Sequence, residues 1–167
     1  MIDRMLGAAR LRADTFEQVE ADKSATGQAM LVVIIVALAT GIGTIQIGGI
    51  SGLLYGLLAG LLGWAAWAGL IYFIGTTLFK TAQTQADWGE LARTMGFAQS
   101  PGVLKVFGFI PGVGPVIFLL VSLWQLAAMV IAVRQALDYT STWRAIGVVA
   151  VGAIPYAVLI LLVTGQS

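Results

Sequence analysis

The segment that decides the fold runs from Leu91 to Ile110 and reads LARTMGFAQSPGVLKVFGFI. At ~1.5 Å rise per residue, a helix of ~20 residues crosses the hydrocarbon core of a bilayer. This segment nevertheless carries five residues that are unusual at membrane depth: Arg93, Gln99, Ser100, Pro101 and Lys105. A cation near the centre of an isolated span costs roughly 2.5 to 3.5 kcal/mol on insertion scales, and a proline removes a backbone donor. We therefore expect a kinked span that other helices enclose.

The composition of the whole chain indicates an integral membrane protein. Of 167 residues, 59% are hydrophobic and 10% are charged, whereas about a quarter of the residues of a soluble domain are charged. The chain has no cysteine and no histidine, which excludes thiolate nucleophiles, histidine bases and the usual metal or haem ligands. We expect no enzymatic activity and no cofactor. The net charge of +1 gives no reason to expect a nucleic-acid partner.

Four other apolar stretches accompany the central segment, and together they predict an all-α bundle of five transmembrane helices over residues 27–167. The predicted spans are residues 27–47, 53–79, 91–110, 116–133 and 145–163. The glycine-rich stretch after the first span predicts a turn through Gly48, Gly49 and Ser51. Residues 1–26 are charged, and their apolar side chains recur at helical spacing. They predict a short amphipathic helix on the membrane surface. Asp14 followed by Glu17 resembles a capping box for a second short helix through Val19.

The basic residues predict the orientation of the chain. Four Lys and Arg residues lie in the N-terminal region, none in the first connection, two in the second, none in the third and two in the fourth. By the positive-inside rule, the N-terminus is cytoplasmic and the C-terminus lies outside. In a bacterium, this would be a multi-pass protein of the cytoplasmic membrane.

A ridge of small residues runs along the second predicted span. Gly52, Gly56 and Gly60 recur every four residues, and Gly63 follows one turn later. Small residues let two helix backbones approach closely inside a membrane. The ridge predicts helix packing inside the bundle, with a homodimer face or a substrate path as alternatives.

A second candidate site consists of the polar residues near the predicted kink: Gln99, Ser100, Pro101, Lys105 and Gln125. Amides at membrane depth usually bond across a helix interface, although broken helices also form binding sites in transporters. Lys105 lies about five residues before the far end of its span. One interpretation is that its stem snorkels to the lipid head groups. In the alternatives, it pairs with the carboxylate of Ser167 or an acid of another subunit, or it belongs to a substrate or ion site.

Two classes of function are compatible with these residues. The leading hypothesis is a membrane scaffold or accessory subunit that contacts lipids, other membrane subunits or a second copy of itself. The alternative is a small-solute or lipid transporter or channel that uses the broken third span. Transport predicts that Gln99, Lys105 and Gln125 converge on a hydrated cavity. Scaffolding predicts that helix contacts satisfy them, or that they face lipid and partners.

The order of the motifs along the chain adds a resemblance. An alanine precedes a proline in the third span (Ala98 to Pro101), and the turn PGVGP follows. Next come a helix with a central Trp124 and a polar loop with Ser and Thr before a basic residue and Ala (Ser141 to Ala145). Over residues 14–160, this order resembles the Yip family of five-span membrane proteins.

The resemblance implies a non-enzymatic role. In eukaryotes, it implies binding of prenylated small GTPases of the Rab type and organisation of vesicle transport or membrane shape. The N-terminal region here is short, without the long acidic cytoplasmic extension of the eukaryotic trafficking members. The chain therefore looks like the compact bacterial members, for which the resemblance implies no settled function.

Overall fold

A computed structural model describes residues 1–164, except for the side chains of 156, 157 and 159–164. Over this part of the chain, the structure contains seven α-helices and one 3-10 helix. They are α1 (Ile2–Ala9), α2 (Ala13–Ala21), α3 (Ala25–Gly43), α4 (Ile45–Thr77), α5 (Trp88–Ala98), the 3-10 helix (Ser100–Phe109), α6 (Gly114–Ala136) and α7 (Thr142–Thr164). The fold is all-α, as predicted.

Three of these helices are long and apolar enough to cross a membrane: α3, α4 and α6, with mean hydropathies of 2.1, 1.9 and 2.5. The protein is therefore an integral, multi-pass membrane protein. In α7, the apolar part whose side chains are described without a gap runs from Thr142 to Pro155, which is shorter than a span. The predicted count of five spans stays a prediction.

The chain breaks twice between the first two long helices. Helix α3 ends at Gly43 and α4 begins at Ile45, a few residues before the predicted end of the first span at residue 47. A Cβ at Gly43 would collide with the backbone carbonyl of Lys105, so a glycine there allows α3 to approach the 3-10 helix closely. The second break lies at Gly49, within the predicted turn through Gly48, Gly49 and Ser51. Gly49 then bends α4, with φ 59° and ψ −162°, a conformation that side-chain-bearing residues rarely adopt.

The central segment starts as a capped α-helix and ends as a 3-10 helix. Asp87 and Glu90 form a reciprocal capping box at the start of α5, with both hydrogen bonds at 2.8 Å. Every residue from Leu91 to Ala98 is buried, so other helices enclose this part as expected. The α-helix ends just before Pro101. There the hydroxyl of Ser100 donates to the carbonyl oxygen of Phe97 at 2.6 Å.

The N-terminal region forms two helices in a hairpin, and the second, α2, covers the stretch from Asp14 to Val19 predicted as a second short helix, without a side-chain cap. Phe16 and Val19 on α2 are fully buried, because α2 packs against α5 and α6. The predicted position on the membrane surface is therefore wrong for α2, whose apolar face lies on protein. Helix α1 keeps Ile2 and Leu6 exposed.

Two side chains of the bundle hold the ends of this hairpin. Arg93, which is 4% exposed, donates to the carbonyl oxygens of Val19 at 3.3 Å and Glu20 at 2.6 Å. The indole of Trp124 donates to the carbonyl oxygen of Ala9 at 2.7 Å. The last carbonyls of a helix have no partner within the helix. Arg93 and Trp124 therefore supply the missing donors of α2 and α1.

The tight contact between α3 and α5 yields a first prediction. A Cβ at Gly96 would lie 2.8 Å from the Cβ of Ala29 and 3.2 Å from its carbonyl oxygen. Overpacking of this kind typically costs about 1 to 3 kcal/mol. We expect Gly96→Ala to lower the free energy of unfolding by that amount, measured by denaturant titration in detergent. Gly27→Ala is the control, because nothing lies within 4 Å of a Cβ there. An equal loss in both variants would contradict the packing described.

Candidate functional site

A groove at membrane depth collects most of the residues singled out from the sequence. It lies between α3, the first half of α4, the 3-10 helix and α6, and its volume is 410 Å³. Seven of the nine candidate residues line it: Gly52, Gly56, Gly60, Gly63, Gln99, Lys105 and Gln125. The other two, Ser100 and Pro101, are buried beside Gln99 at the helix break. The two sites predicted separately are thus one site.

The glycine ridge forms one wall of the groove. A Cβ at Gly60 would lie 3.2 Å from the Cβ of Ala37 on α3, whereas at Gly52 and Gly56 no heavy atom lies within 4 Å. Helix α4 meets α3 closely at Gly60 and at Leu53, whose Cα would lie 3.3 Å from a Cβ at Gly41, while Gly52 and Gly56 themselves face open space. The open space beside Gly52 and Gly56 makes room for the groove. A homodimer contact at this ridge stays a prediction.

The two glutamines bond to each other across the helix interface. The side-chain amide of Gln125 donates to the side-chain oxygen of Gln99 at 2.7 Å and to its backbone carbonyl oxygen at 3.2 Å. Gln125 is 8% exposed. This is the arrangement expected of amides at membrane depth. It ties α6 to the junction between α5 and the 3-10 helix.

Lys105 brings a positive charge to the groove. Its ammonium lies 5.8 Å from the centroid of the Phe118 ring, within the range of a cation–π contact. The ion pairs of the described residues join Arg4 with Asp22 and Arg12 with Asp14, so Lys105 has no carboxylate partner among them. The carboxylate of Ser167, one of its predicted partners, lies outside the described residues.

The lining of the groove differs between the two ends of the bundle. We call the end with α2 and the connections 78–87 and 137–141 the loop end, and the opposite end, with Thr44 and residues 110–113, the turn end. The lining includes Trp64, which is 8% exposed and whose indole donates to the carbonyl oxygen of Ala92 at 3.0 Å. None of the residues described in the two loop-end connections lines the groove, while Gly56 and Ala59 on its rim are exposed. The groove therefore opens sideways.

Several lining residues could not be recognised from the sequence. Thr40 and Thr44 on α3 line the groove, but their hydroxyls donate to the carbonyl oxygens of Val36 at 2.8 Å and Thr40 at 3.0 Å. Such bonds to the preceding turn are common for threonine in helices. Within the apolar runs, these residues and Trp64 follow no pattern that distinguishes a groove from a core.

A substitution tests the bond between the glutamines. We expect Gln125→Leu to lower the free energy of unfolding by about 1 kcal/mol, since it leaves the oxygens of Gln99 without that donor. Adding Gln99→Leu should recover part of the loss, because both side-chain partners are then apolar. Denaturant titration in detergent measures each variant, and Gln18→Leu, at an exposed position of α2, is the control. An additive loss in the double variant would contradict the bond.

A second cavity, of 950 Å³, lies at the loop end. Four acids line it, from α2, α5 and the connection after α6: Glu17, Glu20, Glu90 and Asp138. Burial raises the pKa of Glu20 from its ordinary value of 4.5 to about 7, and the charges of Asp138, Glu90 and Glu17 add to this effect. Arg93 acts in the opposite direction. The packing of α2 on the bundle therefore favours the protonated form of Glu20.

The raised pKa predicts how the docking of α2 depends on pH. The folded state holds the Glu20 proton more tightly than the unfolded state, so this contribution to stability is complete below about pH 4.5 and is lost as the pH rises through about 7. We expect faster hydrogen exchange of α2 at pH 8 than at pH 6, after correction for the intrinsic exchange rate. Glu20→Gln should remove the difference, and Asp3→Asn, at an exposed acid of α1, should keep it. A pH dependence unchanged in Glu20→Gln would contradict the assignment.

Comparison with known proteins assigns the chain to a family. A family model described as the Yip1 domain matches residues 10–162, which is nearly the whole chain. No curated protein and no solved structure gives a significant match. The match agrees with the resemblance seen in the order of the motifs. The chain belongs to the Yip1 domain family, as a helical, multi-pass membrane member.

Proposed function

We propose that the protein is a non-enzymatic membrane scaffold or accessory subunit that acts through lateral contacts within the bilayer. The observation that carries this proposal is the shape of the groove. Its rim is exposed at Gly56 and Ala59, and none of the residues described in the two loop-end connections lines it. A recess that is exposed along α4 and does not include the loop-end connections suits a component of the membrane that enters from the side.

The polar residues of the groove support the same proposal. Gln99 and Gln125 bond to each other, and the hydroxyls of Thr40 and Thr44 bond to their own helix. The chain has eight acids, and none of them lines the groove. Coupled transport commonly uses an acid at membrane depth, and acid–base catalysis needs a positioned titratable group. The groove provides Lys105 alone for either purpose.

The orientation with a cytoplasmic N-terminus remains part of the proposal. Its support is that residues from α2 and from the connections after α4 and α6 line one cavity at the loop end. These are the regions that hold the basic residues counted in the positive-inside argument. The proposed partners are lipids, other membrane subunits or a second copy of the chain. A small GTPase is suggested by family analogy alone and is not part of the proposal.

One observation favours the alternative, a transporter of small solutes or lipids. Gln99, Lys105 and Gln125 do line a common cavity, as transport requires. Transport requires that a solute or lipid crosses the membrane, and it predicts that the rate of crossing depends on the charge of Lys105. Scaffolding requires no crossing and no such dependence.

A photoreactive phenylalanine analogue tests the lateral contact. Tyr55 is 74% exposed on α4 and lies three residues after Gly52 and four before Ala59, beside the rim. We expect the analogue at Tyr55 to give a discrete adduct with a lipid or a protein in native membranes. The same analogue at Phe73, which is 61% exposed on the other half of α4, should give only diffuse labelling. Identical diffuse labelling at both positions would contradict a lateral site.

A flux measurement tests the alternative in parallel. Purified protein in liposomes should show no solute or lipid flux that depends on Lys105, so Lys105→Met should match the wild type. Flux that is lost in Lys105→Met, together with no adduct at Tyr55, would replace scaffolding by transport.

A further inference from the structure

We infer that the groove binds one anionic phospholipid, with an acyl chain along the glycines of α4 and the phosphate near Lys105. The inference rests on the proposed lateral function and names the component that the groove receives. Three features of the groove support a bound lipid: its size, the chemistry of its walls and the position of its one charge.

The size of the groove fits a single acyl chain. A methylene group takes up roughly the volume of a water molecule in the liquid, about 30 Å³. A groove of 410 Å³ thus holds about a dozen methylenes. One turn of a partner helix, ~5.4 Å long and ~10 to 12 Å across, occupies on the order of 500 Å³. The groove therefore cannot enclose even one turn of a helix, whereas it can enclose most of an acyl chain.

The walls of the groove offer mainly apolar contact. Val33, Val36 and Ala37 of α3 and Met129 of α6 face the glycines of α4 across it. The polar side chains of the walls have partners within the protein, as described for the threonines and glutamines. Besides Lys105, these walls leave the side-chain nitrogen of Gln99 and the side-chain oxygen of Gln125 for a polar ligand. An acyl chain needs no such groups, and it enters from the bilayer through the open side.

Lys105 decides which head group suits the groove. Position 105 precedes the end of the segment at Ile110 by five residues, or ~10 Å at the ~2.0 Å rise of a 3-10 helix. A lysine stem can carry its ammonium from there toward head-group level. No carboxylate of the described residues neutralises this ammonium. A phosphate on the lipid would supply that charge, and a lipid with a net negative charge has no cation of its own to compete.

Native mass spectrometry of the full-length protein in mild detergent tests the inference. The protein is titrated with phosphatidylglycerol and with phosphatidylcholine of the same acyl chains. We expect one tightly bound lipid and a preference of about fivefold for phosphatidylglycerol, the effect of one basic side chain near an anionic lipid surface. Lys105→Met should abolish the preference, and Lys105→Arg should keep it. Lys80→Met, at an exposed lysine near the loop end, should also keep it.

A second variant fills the groove without touching the charge. Nothing lies within 4 Å of a Cβ at either Gly56 or Gly27, so both positions accept a side chain. Gly56→Phe should prevent tight binding of both lipids, whereas Gly27→Phe, outside the groove, should bind them as the wild type does. Thermal unfolding of each variant in detergent confirms that the comparison is between folded proteins.

Three results would overturn the inference. They are a preference that survives in Lys105→Met, an equal loss in Lys80→Met, and displacement of the lipid by millimolar inorganic phosphate, which would indicate a site for a free anion. The crosslink at Tyr55 distinguishes a failure of the lipid inference from a failure of the proposed lateral function. A discrete protein adduct there, with no lipid preference, leaves lateral scaffolding in place and removes the lipid. Diffuse labelling at Tyr55 would contradict both the bound lipid and lateral scaffolding.

Discussion

The structure depends on one constraint, the need of every backbone carbonyl at membrane depth for a donor. Pro101 cannot donate, and the hydroxyl of Ser100 donates to the carbonyl oxygen of Phe97 instead. The chain then continues as a 3-10 helix of ten residues, an unusually long run for this helix type. On either side of the break, α3 and α6 pack against both α5 and the 3-10 helix, while α4 packs against α5.

The same break creates the groove. Its packing partners approach closely where glycine allows it: a Cβ at Gly102 would lie 2.5 Å from the side chain of Val36 on α3. Gln125 reaches the junction from α6 and bonds to Gln99. On the side of α4, however, Gly52 and Gly56 leave open space. A cluster packed tightly on one side and open on the other yields a recess that faces the bilayer.

The N-terminal hairpin completes the shield at the loop end. Arg93 would be costly as an isolated charge in lipid, but here it donates to the carbonyl oxygens that end α2. The guanidinium of Arg93, inside the enclosed segment, thus holds α2 in place over that segment. The packing of α2 depends on pH through Glu20, because burial among three other acids raises the pKa of Glu20 to about 7.

The sequence by itself determined the all-α class, the membrane location and the break at Pro101. Each of these follows from composition or from residues close together in the chain. Tertiary structure alone decided how closely α3 approaches the 3-10 helix, where a Cβ at Gly43 would meet the carbonyl of Lys105, 62 positions further along the chain. It also decided that α2 packs on protein and that the glycines of α4 meet Gln99 and Lys105 in one groove. An apolar face has the same pattern whether lipid or protein covers it, so only contacts between distant residues distinguish the two.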